Sequence, residues 1–239
     1  MVENAWPLLE LRQYTLRPGT RDVLIDLFDR ELVETQEAVG IRVLGQFRDE
    51  SDPDRFVWIR AFPDIAARTA ALRAFYLDGV AWRTHAPAAR ATMVDTDNAL
   101  LLRPATAQSA FESTGQRPPI GTTELPESRV LAMIYQVSGD LTEFTEFFDN
   151  RIRPALDTTP SGVYVTDPSP NDFTQLPVRT EQVLTWFARF PDSDSRATYL
   201  DQLAASREWT ESVLPELDKR VSAPPEQLLL APTSRSLLR

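Results

Sequence analysis

The chain has 239 residues, 42% hydrophobic and 25% charged, with a formal net charge of −10. That length suits one large domain or two small ones, and the acidic balance argues against nucleic acid or an anionic membrane as partner, since both recruit basic surface. With no cysteine and one histidine, His85, disulfides, thiolate catalysis and a histidine-rich metal site within one chain are excluded.

Residues 1–9 show neither a basic start nor an apolar core of a leader, and no apolar run is long enough to span a bilayer, so the expected compartment is the cytoplasm. Leu8 to Leu16 reads as a strand, ended by Arg17-Pro18-Gly19, with Thr20 placed to cap the next helix. Val23, Leu24, Leu27, Phe28, Leu32 and Val33 recur at helical spacing, which predicts an amphipathic helix over Arg21 to Val39, stopped by Gly40. Ile41 to Asp49 and Arg55 to Phe62 read as a hairpin around the turn cluster at 50–54. Asp64 is suited to cap a helix running to about Leu77. A further helix covers Val80 to Met93, and Asn98 to Leu102 closes the unit as a strand.

Ala105 to Ser128 is rich in Pro, Ser, Thr and Gly, lacks periodicity, and reads as a linker. The order then returns: strand Arg129 to Val137, helix Leu141 to Leu156, strand Gly162 to Thr166, and a polar loop at 167–179 holding three prolines. Strand Glu181 to Phe190, helix Ser193 to Ala205, helix Trp209 to Val221 and strand Glu226 to Leu230 complete it. Trp58 to Pro104 aligns without a gap on Trp186 to Pro232, at an offset of 128 with eleven identities, among them Trp58/Trp186, Asp64/Asp192, Arg68/Arg196 and Pro87/Pro215. Such a repeat fixes architecture before any single residue does. The expectation is α+β: two tandem ferredoxin-like βαββαβ repeats, 1–104 and 129–239, joined by 105–128.

Strand parity separates Phe56, Trp58, Arg60 and Phe62 from Val57, Ile59 and Ala61, and Glu10, Arg12 and Tyr14 from Leu9, Leu11 and Gln13. The aliphatic face suits packing under helices. The aromatic and charged face is then expected to line a barrel interior, making a polar-walled pocket. Arg60 could bind the carboxylate or enolate of a small ligand, or pair with Glu10 as a structural ion pair. Its counterpart in the second half is Ala188, which suggests a working site in the first half, although drift after duplication gives the same pattern. His85 shares a helix face with Trp82 and could move a proton or ligate haem, or could simply be a half-buried helix position like its counterpart Val213. Carboxylate pairs are plentiful but none has the spacing of a metal loop, and phosphate-cradling glycine motifs are absent.

The segments Glu10-Leu11-Arg12-Gln13-Tyr14-Thr15-Leu16-Arg17-Pro18-Gly19, Phe56-Val57-Trp58-Ile59-Arg60-Ala61-Phe62-Pro63-Asp64 with Arg68, Phe75-Tyr76, Trp82-Arg83-Thr84-His85 and Asn98-Ala99-Leu100-Leu101-Leu102 together resemble the NIPSNAP family, well over 8–104 and weakly over 129–232. The resemblance implies the dimeric α+β barrel, here with both sheets supplied by one chain. The expected function is a small-molecule-binding protein with no cofactor; as an enzyme it would be of oxygenase, isomerase or lyase type, acting on a small aromatic or carbonyl compound. Arg60 and His85 are the candidate catalytic residues. Trp58, Tyr76, Trp82, Arg12, Tyr14 and Gln46 are the candidate ligand contacts. A non-catalytic interaction module and a haem protein using His85 are the alternatives, and the outer faces could pair two copies into a homodimer.

Overall fold

The computed structural model describes residues 6–112 and 115–239; residues 1–5 of the first expected unit and residues 113 and 114 of the expected linker lie outside the described residues. The strands are β1 (Leu8–Leu16), β2 (Arg42–Asp49), β3 (Arg55–Phe62), β4 (Met93–Asp95), β5 (Ala99–Pro104), β6 (Arg129–Gln136), β7 (Gly162–Thr166), β8 (Val183–Phe190) and β9 (Glu226–Pro232). Helices cover 21–37, 65–78, 80–92, 141–155, 193–205 and 208–218. These agree with the sequence reading to within a few residues, apart from β4, too short to show a period.

The strands lie in the order β3-β2-β9-β6-β8-β7-β5-β1, and β1 pairs back to β3, so eight antiparallel strands close a barrel. β4 extends the sheet at the end of β1. Each half contributes four neighbouring strands in equivalent order, β2-β3-β1-β5 and β7-β8-β6-β9. The halves meet along two seams, β2 with β9 and β5 with β7. Glu50 fastens the first seam from the side chain: it accepts from Arg129 at 2.8 Å and from Arg196 at 2.6 Å.

Strand parity is informative about which residues share a face, but the faces point opposite to expectation. Leu9, Leu11, Val57, Ile59, Ala61, Leu100 and Leu102 pack in one cluster with Val130, Ala132, Ile134, Val183, Phe187, Leu228 and Leu230, so the lumen is aliphatic and drawn from both halves. An eight-stranded barrel has room only for side chains at its centre, and each of the buried Val, Leu, Ile and Phe side chains contributes about 1.5–3 kcal/mol. Trp58, Phe56 and Phe62 instead pack against Leu24, Phe28, Leu32, Leu72 and Phe75 of the helices. The physical reason is charge: Glu10, Arg12 and Arg60 share that face, and an aliphatic lumen would offer them nothing beyond one another. Under the helices they also reach Arg68, the Tyr76 hydroxyl and the Thr96 carbonyl.

Asp64 and its counterpart Asp192 cap their helices alike, accepting from Ala67 N and Ser195 N at 2.7 Å. Thr20 does not cap; its hydroxyl donates to the carbonyls of Arg17 and Thr92. The first helix of each half contains a π turn, Phe28–Leu32 and Phe148–Ile152, and follows a left-handed glycine, Gly19 at φ 74° and Gly139 at φ 128°. A further π turn, Ala74–Asp78, carries Phe75 and Tyr76. The expected linker is not free chain. Phe111 stacks on Tyr164 and Phe187 and packs against the lumen, while Arg117 donates to the Val43 carbonyl and to Glu37. Among the described residues, no helix is long and apolar enough to cross a membrane.

Candidate functional site

On β1 and β3, Glu10 faces Arg60 across the ladder and Arg12 lies two positions along, so backbone register alone brings one acid to two bases. Arg68, one turn into the capped helix 65–78, completes the group; all four side chains are fully buried. Arg60 Nε donates to Glu10 Oε2 at 2.7 Å, Arg12 Nη1 to the same oxygen at 3.1 Å, and Arg68 Nε to Oε1 at 2.5 Å. Burial would raise the Glu10 carboxyl, but Arg60, Arg12 and Arg68 outweigh it and hold the group well below the usual carboxylate range. Burial likewise works against the Arg60 cation, but the groups around it, Glu10 foremost and Tyr76 next, together more than restore it. Arg60 therefore forms the ion pair with Glu10 that the sequence left as one of two readings.

Above this cluster lies a cavity of about 470 Å³ between the first-half sheet and its helices, within the range of small-molecule sites. Tyr14 and Trp58 of the sheet, Phe28, Leu32 and Gln36 of helix 21–37, and Phe75, Tyr76 and Leu77 of the π turn form its walls. Trp82 and Arg90 of helix 80–92, with Met93 and Thr96, form the next side. Phe173, Gln175 and Leu176 reach over from the second half. The walls are interlocked aromatics: Trp58 lies 4.9 Å from Phe28 and 5.8 Å from Tyr14, and Tyr76 lies 5.0 Å from Trp82, ring centre to ring centre. Asn171 fixes the overlying loop by accepting from Arg68 Nη1 at 3.1 Å, and Asp172 accepts from the Thr69 hydroxyl.

The charged cluster touches the cavity through its wall. Arg60 Nη1 donates to the Tyr76 hydroxyl oxygen at 3.2 Å and its guanidinium lies 4.9 Å from the Trp58 ring centre. Burial raises the Tyr76 phenol, with Arg60 offsetting part of that, so Tyr76 stays protonated at neutral pH. Because its oxygen accepts from Arg60, its proton remains available to a ligand. Among the described residues Trp58 Nε1 is buried without a partner, although Trp186, its equivalent, donates to the Tyr135 hydroxyl at 3.1 Å.

Ladder register carries the comparison further. Glu10, Arg12, Tyr14 and Arg60 correspond to Leu131, Met133, Tyr135 and Ala188. In the second half, then, the charged quartet is replaced by apolar side chains, only Arg196 persisting, paired to Glu50.

Six of the eight expected site residues gather here: Trp58, Tyr76, Trp82 and Tyr14 on the walls, Arg60 and Arg12 behind them. Two do not. His85 lies outside the cavity lining, with Nε2 3.6 Å from Glu31 Oε2 and a partly exposed side chain. The helix turns it to the outer side while Trp82 points in, which also takes away the geometric basis of a histidine-ligated haem in this cavity. Gln46 sits on β2 in another cluster, donating to Asp29 Oδ1 at 3.0 Å beside Arg117. Arg68 is legible as a repeat identity but its role is not. The residues from 173–176 carry no sequence signal, because only the closed barrel brings that loop over the first half. In a smaller cleft of about 290 Å³ between helix 21–37 and residues 120–125 and 233–235 the arginines are committed elsewhere: Arg235 to Glu34 and to the carbonyls of Asp29 and Pro118, Arg48 to Asp22 and Arg30 to Glu31.

Residues 9–108 match the NIPSNAP family. No curated protein matches the chain. Among solved structures, a provisionally named monooxygenase from Fusobacterium nucleatum is similar over 96% of this chain and 94% of its own, with TM-score 0.61 and 13% identity. An anthrone oxidase-like protein is similar over 97% and 92%, with TM-score 0.61 and 12% identity. A NIPSNAP family protein of Agrobacterium tumefaciens covers 43% of this chain and 91% of its own, at 23% identity and TM-score 0.39. The two full-length similarities show that the whole chain, not only its first half, shares a known α+β barrel fold.

Proposed function

We propose that the chain is a small-molecule-binding protein, two tandem ferredoxin-like repeats forming a pseudo-dimeric barrel, with a single working site in the helix-side cavity of the first repeat. The equivalent strand order of the halves and the gap-free repeat support the duplication. The reaction we favour is cofactor-independent, of oxygenase, isomerase or lyase type, on a small aromatic or carbonyl compound. The observation that carries this is the Tyr76 hydroxyl, held by buried Arg60 at the floor of an aromatic cavity. A donor fixed in advance, in a water-poor site, stabilises negative charge developing on a substrate oxygen. Trp58, Trp82 and Phe173 would clamp a flat ring system, Arg60 would hold and polarise Tyr76, and His85 has no part in the step. The provisionally named monooxygenase and the anthrone oxidase-like protein agree with a small organic substrate, by likeness of fold.

Native mass spectrometry of protein isolated gently from its own host tests this, beside Tyr76→Phe and His85→Ala. The expected result is a bound organic species weakened by Tyr76→Phe and kept by His85→Ala. Loss of the species in His85→Ala alone would refute the placement.

A further inference from the structure

We infer that the ligand of this cavity is an organic anion, a flat apolar body carrying one carboxylate or enolate oxygen centre turned toward Tyr76. This rests on the reading of the cavity as the ligand site and specifies its chemistry. Three guanidiniums, Arg12, Arg60 and Arg68, share the single carboxylate of Glu10, all fully buried. Among the described residues, the other acid paired with them is Asp172, 3.7 Å from Arg68 and 45% exposed at the side chain. Arg90 adds a further positive charge at the rim, over the Trp82 ring. The surroundings of the cavity therefore carry excess positive charge, little screened by water.

Hydrogen-bond capacity points the same way. Among the described residues, Trp58 Nε1 and Arg12 Nε are buried without a partner, and the Tyr76 oxygen already accepts from Arg60, which leaves its proton to a ligand. No described residue lining the cavity is an aspartate, glutamate or histidine, so none of these wall groups could accept a proton from a neutral acid. Glu10 is fully engaged by its three arginines. An ionised ligand answers these donors and offsets the excess positive charge, whereas a neutral one of the same shape can accept the same hydrogen bonds more weakly but leaves the charge uncompensated. In the second repeat the arginines at the equivalent strand positions are absent and the tryptophan is satisfied internally, so the anion preference belongs to the first repeat alone.

The test measures binding of 2-naphthoate, its neutral isostere 2-naphthamide, and 2-naphthol to the intact chain by calorimetry. The ionisation of bound naphthol is followed by absorbance. The expected result is naphthoate binding at least tenfold more tightly than naphthamide, or naphthol ionising at a lower pH when bound than when free. The first outcome identifies the carboxylate form and the second the enolate-like form. Tyr76→Phe should reduce the naphthoate preference severalfold, and Trp58→Phe, which keeps the ring, should also weaken it. Naphthamide binding as tightly as naphthoate, with naphthol bound neutral, would overturn the inference while leaving the cavity a ligand site. Absence of binding by all three would overturn the inference and the cavity reading together.

Discussion

Replacing Glu10 by glutamine would leave three buried guanidiniums without the one carboxylate they share. Each charge-assisted hydrogen bond to Glu10 is of the class worth about 1.5–3 kcal/mol, but the three are mutually dependent and do not add. Removing one partner of a buried ion pair costs roughly 3–5 kcal/mol, because the remaining charge is uncompensated. With donors at 2.5, 2.7 and 3.1 Å we expect Glu10→Gln at the upper end of that range. Urea unfolding followed by circular dichroism reads this as a shift in midpoint at constant slope. The second repeat supplies an internal control, since Leu131, Met133 and Ala188 occupy the positions equivalent to Glu10, Arg12 and Arg60 on the same ladder. The triple variant Glu10→Leu/Arg12→Met/Arg60→Ala removes the acid with two of its three bases, leaving Arg68 to Asn171 and Asp172, and should be less destabilised than Glu10→Gln alone. A Glu10→Gln cost under about 1 kcal/mol, or a triple variant less stable than the single one, would refute the buried-network account.

Three further expectations rest on the same structure. The Glu10 carboxyl is depressed in the folded chain, so its contribution is complete above the unfolded value of about 4.3 and is lost as pH falls toward the folded one. Unfolding midpoints between pH 5 and 3 should fall more steeply for the natural chain than for Glu10→Gln; parallel curves would contradict this. Asp64→Ala and Asp192→Ala should each cost about 1 kcal/mol by loss of a helix cap, with near-equal effects because both accept at 2.7 Å; a twofold or larger difference between them in thermal melts would argue against equivalent capping. His85→Ala should change naphthoate affinity less than twofold, whereas Phe173→Ala should weaken it severalfold because Phe173 covers the cavity from the other half; the reverse order in calorimetry would misplace the site.

Much of this architecture is legible in the chain. Periodicity locates the helices, and turn clusters bound the hairpin 42–62 because Asp52, Pro53 and Asp54 cannot continue a strand. Strand parity correctly groups Trp58 with Arg60, and Glu10 with Arg12 and Tyr14. What parity lacks is a sign: it separates two faces without saying which looks inward. The deciding information is non-local, because an aliphatic lumen requires Leu9 and Ile59 to meet Val130 and Leu228 from the other half of the chain. For His85 the helical spacing to Trp82 is real, yet a shared face three residues wide still leaves one edge in the cavity and the other beside Glu31. The irregular register between Val43 and Gly45 sets Gln46 opposite Trp58 on the helix side of the sheet, but its side chain turns to Asp29 instead of the cavity, which spacing alone does not reveal. Phe173 and Arg117 act across the barrel, and no local pattern marks either.

The measurement closest to the central claim is a two-dimensional ¹H–¹⁵N spectrum of the indole N–H groups of Trp6, Trp58, Trp82, Trp186 and Trp209 during titration with 2-naphthoate. With the ligand in the helix-side cavity of the first repeat, Trp58 and Trp82 shift in a saturable way while Trp186, bonded to Tyr135, stays in place. Shifts of Trp186 or Trp6 with Trp58 and Trp82 unmoved would place the ligand in the second repeat or at the barrel end, and would contradict the account.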